Sequence, residues 1–281
     1  MNYYYHKDSI HVSRVDLYVK NINKSLDFYL NNLGFSVLEQ NIEYVSLTVD
    51  FKNELLRLYE RQTLVTNNKM NIYHFALLLP TRKDLSKFLR HLITRQIPID
   101  GAADHLVSEA IYLKDPDGIG IEIAFDKNDT DWEYEKDRVK MDTIPFDYKG
   151  VYYASDEDDI FGNLPVDTVI GHLHLHVDDL DKAKDFYSQI LGFKITNDDI
   201  PKAVFLSDKN YHHHIAINSW YIKQNADNPY PQMKAFTIDY PSCEKYLKTL
   251  NNLDKYNITY KETKEGIFLK DSENTGIYLK I

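Results

Sequence analysis

Apolar and polar residues alternate in two short stretches that closely resemble each other. One runs Val15-Asp16-Leu17-Tyr18-Val19, the other Leu173-His174-Leu175-His176-Val177. A period of two sends successive side chains to opposite faces, so each stretch predicts a strand. Each then changes to helical spacing, with Leu26, Tyr29, Leu30 and Leu33 on one stripe and Ala183, Phe186, Ile190 and Leu191 on the other. Both helices run into a glycine, Gly34 or Gly192, the residue best suited to the left-handed conformation at a helix end. A second strand–helix pair follows each of these: 72–80 then 83–95, and 233–241 then 244–252. Asp115-Pro116-Asp117-Gly118 carries the residues of a type I turn and joins strands at 110–114 and 119–125, while 271–274 joins 266–270 to 276–281. The repeat predicts an α+β chain of four βαβββ units, starting near residues 10, 70, 168 and 232. These group into domains at 1–126 (units one and two) and 168–281 (units three and four), joined by a connector at 127–167.

Composition narrows the class. With 281 residues and about 100–200 residues per domain, two well-cored domains are expected. The net charge of -10 gives no electrostatic footprint for nucleic acid or an anionic membrane. No apolar run reaches the roughly 18 residues of a membrane span, and Met1 to Asp8 lacks the apolar core of a secretory signal. The single cysteine, Cys243, cannot form an internal disulfide, which fits a reducing cytoplasm, and is expected to be a buried structural thiol. Neither G-x-G-x-x-G nor G-x-x-x-x-G-K occurs, so no phosphate-cradling loop is present. The connector combines an acidic run, Asp156-Glu157-Asp158-Asp159, with Trp132, Tyr134 and Tyr148, and is expected to dock these aromatics on a sheet.

The candidate chemistry lies in the histidines, six of which fall between residues 172 and 214 out of 11 in the chain. His172, His174 and His176 alternate with aliphatics, so three imidazoles share one strand face while the other face packs on the unit's helix. The plain structural reading is a solvated polar face; the functional reading is a cup lined by imidazoles, with His174 and His176 lining rather than ligating. His74 occupies the matching place in unit two, with Phe75, Leu77 and Leu79 on the opposite face. Glu122 stands between Ile121 and Ile123. A carboxylate there is costly unless it is paired at a sheet edge or bound to a cation. Two histidines and one carboxylate form the facial set of non-haem Fe(II) oxygenases, which leaves three coordination positions open. In His212-His213-His214, the outer two read as a solvated strand end. His105 lies in a polar turn, and Tyr112 stands ten positions before Glu122; neither signals a function alone.

Taken together, the four βαβββ units, Gly171-His172-Leu173-His174-Leu175-His176-Val177 followed by an Asp-Phe-Tyr helix, and Asp115-Pro116-Asp117-Gly118-Ile119-Gly120-Ile121-Glu122 resemble the vicinal oxygen chelate superfamily. Within it the chain resembles the type I extradiol ring-cleaving dioxygenases of the bacterial catechol 2,3-dioxygenase branch, over nearly its whole length. The resemblance implies two glyoxalase/bleomycin-resistance/dioxygenase-like domains and a ferrous ion, with manganese as the alternative, held by His74, His172 and Glu122. It implies a catechol-type diol and dioxygen as co-substrates in the breakdown of aromatic compounds. It also implies acid–base work by His213 in the pattern His212-His213-His214-Ile215-Ala216, a hydrogen bond from Tyr112 to the substrate, and substrate orientation by His105. Asn218 and Trp220 are expected at the mouth. One departure matters: unit four has Ala235 and Tyr278, and unit one Arg14, where ligands are expected. The triad is therefore complete only if units two and three meet, within one chain or across a homo-oligomer. Two other activities share the superfamily: a glyoxalase-like isomerase or transferase, and a metal-free protein that sequesters an aromatic drug. The strand around 213–218 lacks the fourth carboxylate of a glyoxalase, and a binding cup has no need of a triad.

Overall fold

The computed structural model of the chain describes residues 8–61, 71–136, 138–220 and 232–281. Residues 1–7 of the N-terminal stretch weighed above as a leader lie outside them. Module one comprises β1 (His11–Val19), α1 (Ile22–Asp27), β2 (Ser36–Gln40), β3 (Val45–Thr48) and β4 (Leu56–Glu60). Module two comprises β5 (Ile72–Leu78), α2 (Arg82–Arg95), β6 (Gly101–Asp104), β7 (Ser108–Lys114) and β8 (Gly120–Asp126). The connector adds β9 (Tyr134–Glu135), β10 (Arg138–Val139), β11 (Ile144–Pro145) and α3 (Tyr148–Tyr152). Module three comprises β12 (Val169–His176), α4 (Leu180–Asp185), β13 (Lys194–Asn197), β14 (Ala203–Ser207) and β15 (Ile215–Asn218). Module four comprises β16 (Gln232–Asp239), α5 (Cys243–Lys255), β17 (Tyr260–Thr263), β18 (Gly266–Lys270) and β19 (Gly276–Lys280).

Each α-helix opens on a residue whose side chain accepts a backbone N–H of the first turn: Asn21, Thr81, Asp147, Asp179 and Ser242. Such a cap contributes about 1 kcal/mol. Helices α1 and α4 each continue into one π turn, Phe28–Asn32 and Phe186–Ile190. They stop near Gly34 and Gly192, which take φ of +87° and +93°. Those π turns carry Tyr29 and Tyr187, whose hydroxyls donate to Asp115 (3.1 Å) and Asp271 (2.8 Å) in the turns of modules two and four. The device is thus repeated in both halves of the chain.

Burial pushes both carboxyls up to about 6, partly opposed by these hydroxyls and by backbone N–H groups. The unfolded chain ionises near pH 3.9, so the contribution of each is full below that pH and is lost as pH rises through about 6. Asp115→Asn removes one such group. Its stability relative to the parent is expected to rise between about pH 4 and pH 7, by up to about 3 kcal/mol. Urea unfolding at the two ends of the range measures this; a pH-independent difference contradicts it.

The modules pair across the halves. One sheet has the order β17-β18-β19-β16-β1-β4-β3-β2, from modules four and one; the other has β11-β6-β7-β8-β5-β12-β15-β14-β13, from modules two and three with one connector strand. The seams are antiparallel, β1 with β16 and β5 with β12. First strands take the centre because they are buried on both faces: every residue of β5 except Tyr73 is buried. One apolar cluster runs through both sheets and the helices, including Leu17, Tyr29, Phe75, Phe88, Leu173, Tyr187 and Phe236. Among the described residues no helix is long and apolar enough to cross a membrane.

Two expectations need correction. Cys243 is exposed rather than buried, because it is the first residue of α5, ahead of the turns in which Thr249 and Leu253 are buried. The connector docks Trp132, which is buried against Tyr211 and His212. Tyr134 and Tyr148, by contrast, stay exposed at 47% and 49%.

Candidate metal centre

Register places the site at the β5–β12 seam. His172 on β12 is opposite Ala76 on β5, Ala76 is opposite Glu122 on β8, and Glu122 is opposite Tyr112 on β7. These four positions form one row across four strands. His74 lies two residues before Ala76 and therefore on the same face. The small Ala76 side chain leaves space between the larger ones. The β12 register shifts at Gly171, immediately before His172, a bulge of the kind that re-aims a side chain. A Cβ at Gly171 would meet Leu78 at 2.9 Å, and one at Gly120 would meet the Tyr73 carbonyl at 2.3 Å, so both backbones approach their neighbours as only glycine permits.

The side chains converge. His74 Nε2 lies 3.0 Å from Glu122 Oε2, His172 Nε2 lies 3.2 Å from the same oxygen, and the two nitrogens are 3.1 Å apart. All three residues are buried. Protons cannot satisfy the three contacts together, because a hydrogen bond between two neutral imidazole nitrogens needs one of them bare, and a bare nitrogen cannot also donate to the carboxylate. A cation satisfies all three. Donors about 2.1 Å from an ion and at right angles to one another are about 3.0 Å apart, so the observed spacing fits one face of an octahedron. Burial alone would raise the Glu122 carboxyl, but the imidazoles of His172 and His74 outweigh it and hold the group well below its usual range. Burial lowers His74. The set is therefore an ionised carboxylate with a neutral, ligand-ready imidazole. Glu122 lies inside the sheet between β7 and β5, which removes the alternative of an edge salt bridge.

A cavity of about 420 Å³ opens over the row and is lined also by Tyr73, His105, Tyr112, Met141, His174, Phe205, His213 and Trp220. That is the size of a small-molecule site. His105 Nδ1 donates to the Asp142 carbonyl (3.0 Å), which leaves Nε2 bare to accept from the Tyr112 hydroxyl (2.6 Å). Burial and the Glu122 charge raise the Tyr112 hydroxyl well above its ordinary value, so it remains a donor. Burial, helped by the neighbouring imidazoles, holds His213 well below the usual range, and its ring packs 4.1 Å from that of His172.

Other sequence expectations are redistributed. His212 and His214 are buried at 1% exposure, not solvated; His212 bonds Asp126 (3.0 Å) and His214 bonds Ser207 (3.0 Å). His174 and Trp220 line the cavity. Asn218 is fully buried instead, bridging His174 and His176 at 2.8 Å each. Tyr73 and Ala76 were not singled out from the sequence. The signal for Ala76 is its small size in a bulky strand, and Tyr73 is the one exposed position of β5.

In module four the place of His74 is taken by Ala235 and that of Glu122 by Tyr278; in module one Arg14 replaces His172. The β1–β16 seam therefore holds charge instead: Arg14 pairs with Asp16 (2.7 Å), Glu54 (2.9 Å) and Glu265 (2.8 Å), and Arg57 pairs with Glu54 (2.7 Å) and Glu265 (3.0 Å).

This fold, with its imidazole–carboxylate cup, defines a class. Residues 11–123 match the Glyoxalase/Bleomycin resistance protein/Dioxygenase superfamily, and residues 170–207 match the Bleomycin resistance protein-like N-terminal family. The chain belongs to the glyoxalase/bleomycin resistance/dioxygenase superfamily. It is similar to the catechol-2,3-dioxygenase of Bacillus subtilis (strain 168), with 37% identity over 281 residues, 98% of this chain and 97% of that protein. Among solved structures, a putative dioxygenase from Bacillus subtilis subsp. subtilis str. 168 aligns with a TM-score of 0.65 and 12% identity, over 97% of this chain and 85% of that one. Glyoxalase I from Zea mays aligns with a TM-score of 0.58 and 13% identity, over 97% and 92%. At such identities these structures establish the fold alone.

Proposed function

We propose that the chain is an extradiol dioxygenase, which opens the ring of a catechol-type diol with dioxygen at a ferrous ion held by His74, His172 and Glu122. The observation that carries this reading is the meeting of three buried donor atoms within 3.2 Å of one another on the floor of a small-molecule cavity. The relative named catechol-2,3-dioxygenase supports the same chemistry. When bound, the ion supplies a Lewis-acidic, redox-active centre with open positions for both substrates.

The chain's own groups do the rest. Glu122 brings the negative charge that offsets the cation. His213, neutral and buried, takes and returns the proton of the substrate hydroxyl. The Tyr112 hydroxyl gives its proton to His105 Nε2, which is fixed by its own bond to the connector, and so presents its oxygen to accept from a hydroxyl of the substrate. Phe205, Met141 and Trp220 supply apolar wall against an aromatic ring. A manganous ion suits the same nitrogen and oxygen donors, and metal analysis of the purified protein separates the two. No carboxylate stands on β15 to complete a glyoxalase-type set.

Anaerobic reconstitution with Fe(II), followed by a panel of catechols in air-saturated buffer, is expected to give the yellow ring-opened product. His213→Phe is expected to retain the metal while kcat falls about 10²–10⁴-fold, the usual worth of general acid–base catalysis. A metal-loaded protein that yields no coloured product from any catechol overturns the proposal.

A further inference from the structure

Beneath His213 lies a buried chain of polar groups that the catalytic reading leaves unused. Asp126 ends β8, four residues after Glu122. Its Oδ1 lies 3.0 Å from His212 Nε2, and its Oδ2 accepts from the Tyr211 hydroxyl at 2.8 Å. On the far side, His212 Nδ1 lies 2.7 Å from His213 Nδ1. Asp126, His212 and His213 are all buried, at 9%, 1% and 8% exposure. The Trp132 ring of the connector packs at a tilt beside His212, with ring centroids 5.3 Å apart.

With a single ring proton on each imidazole, counting protons along this chain gives one arrangement. An ionised carboxylate only accepts, so His212 carries its proton on Nε2. A neutral imidazole has one such proton, so His212 Nδ1 is bare and must accept. The proton in the 2.7 Å contact therefore belongs to His213 Nδ1, and His213 Nε2 is left bare. The hydrogen bond at one ring nitrogen decides the role of the other.

We propose that Asp126, acting through His212, is a positioning device that locks His213 in the Nδ1–H tautomer and so presents a bare Nε2 to the cavity as the proton acceptor. The inference rests on the function proposed above, in which His213 moves the substrate proton. Neither Asp126 nor His212 reaches substrate; each acts through its neighbour. Without the lock a neutral histidine populates both tautomers, and molecules with Nε2 protonated cannot start the reaction.

The test uses metal-free full-length protein labelled with ¹⁵N-histidine, whose ring nitrogens report which one carries the proton; His213→Phe identifies the His213 signals by their loss. Wild type is expected to show His213 protonated on Nδ1 alone. Asp126→Ala and His212→Phe break the chain at different links, so either suffices if the other fails to fold. Each is expected to give mixed tautomers. After metal loading, each is expected to lower kcat about 10–100-fold, the range of outer hydrogen-bond partners in metal sites, with KM and metal content unchanged. Asp126→Asn keeps an accepting oxygen and is expected to preserve the tautomer and most of kcat. Protonation of His213 on Nε2 in wild type overturns the proposal, as does an unchanged tautomer in the folded broken-chain variants. If wild type cleaves no catechol, the function reading fails separately, and the tautomer still decides the lock.

Discussion

Glu122→Ala is expected to purify folded and to bind no stoichiometric Fe(II). The substitution removes the one anion of the triad and leaves two imidazoles whose nitrogens stand 3.1 Å apart. Loss of a mere outer hydrogen-bond partner costs about 10–100-fold in metal affinity, so loss of a direct carboxylate ligand is expected to exceed 100-fold. The metal-free parent cup also carries an internal cost, since at most two of its three polar contacts can be hydrogen bonds. Removing the carboxylate relieves part of that cost without metal, so the metal-free variant is expected to unfold no earlier than metal-free wild type. Metal analysis after anaerobic reconstitution, with thermal unfolding of both metal-free forms, gives the two readings. Stoichiometric iron in the variant excludes Glu122 as a ligand.

Arg14→Ala is expected to cost about 3–5 kcal/mol of stability without touching the metal. Arg14 and Asp16 are both nearly fully buried, and burial dominates the pull on Asp16 while Arg14 opposes it. Taking away one partner strands a charge in the interior, which is the expensive case; replacing both by apolar residues is often neutral or stabilising. The double variant Arg14→Met with Asp16→Leu is therefore expected to recover most of the loss. Urea unfolding of the three proteins measures it, and a loss below about 1 kcal/mol in the single variant would place the pair among ion pairs of surface strength.

The fold was readable in the chain because its repeats are local. The switch from period two to helical spacing, the glycines at 34 and 192 and the Asp-Pro-Asp-Gly turn each act within a few residues. The shared face of His74 and Glu122 followed from alternation alone. The meeting of modules two and three followed from Arg14, Ala235 and Tyr278 standing where ligands are expected. What escaped was decided at a distance. Three consecutive histidines have no period, and His212 is buried because Asp126, 86 positions earlier, receives its proton. Nothing near Trp132 announces that its ring packs beside His212. The residue type of Cys243 suggests burial, whereas its place at the first position of α5 leaves it exposed.

Because sheet partners are exchanged between the halves of the chain, heredity cannot treat those halves as separable parts. His74 and Glu122 are encoded before the connector and His172 after it, so a gene divided at its repeat boundary would divide both sheets and the proposed metal cup together. Each product would carry part of the His74, Glu122 and His172 set without its complement, and only reunion of the two polypeptides would bring the three side chains back together.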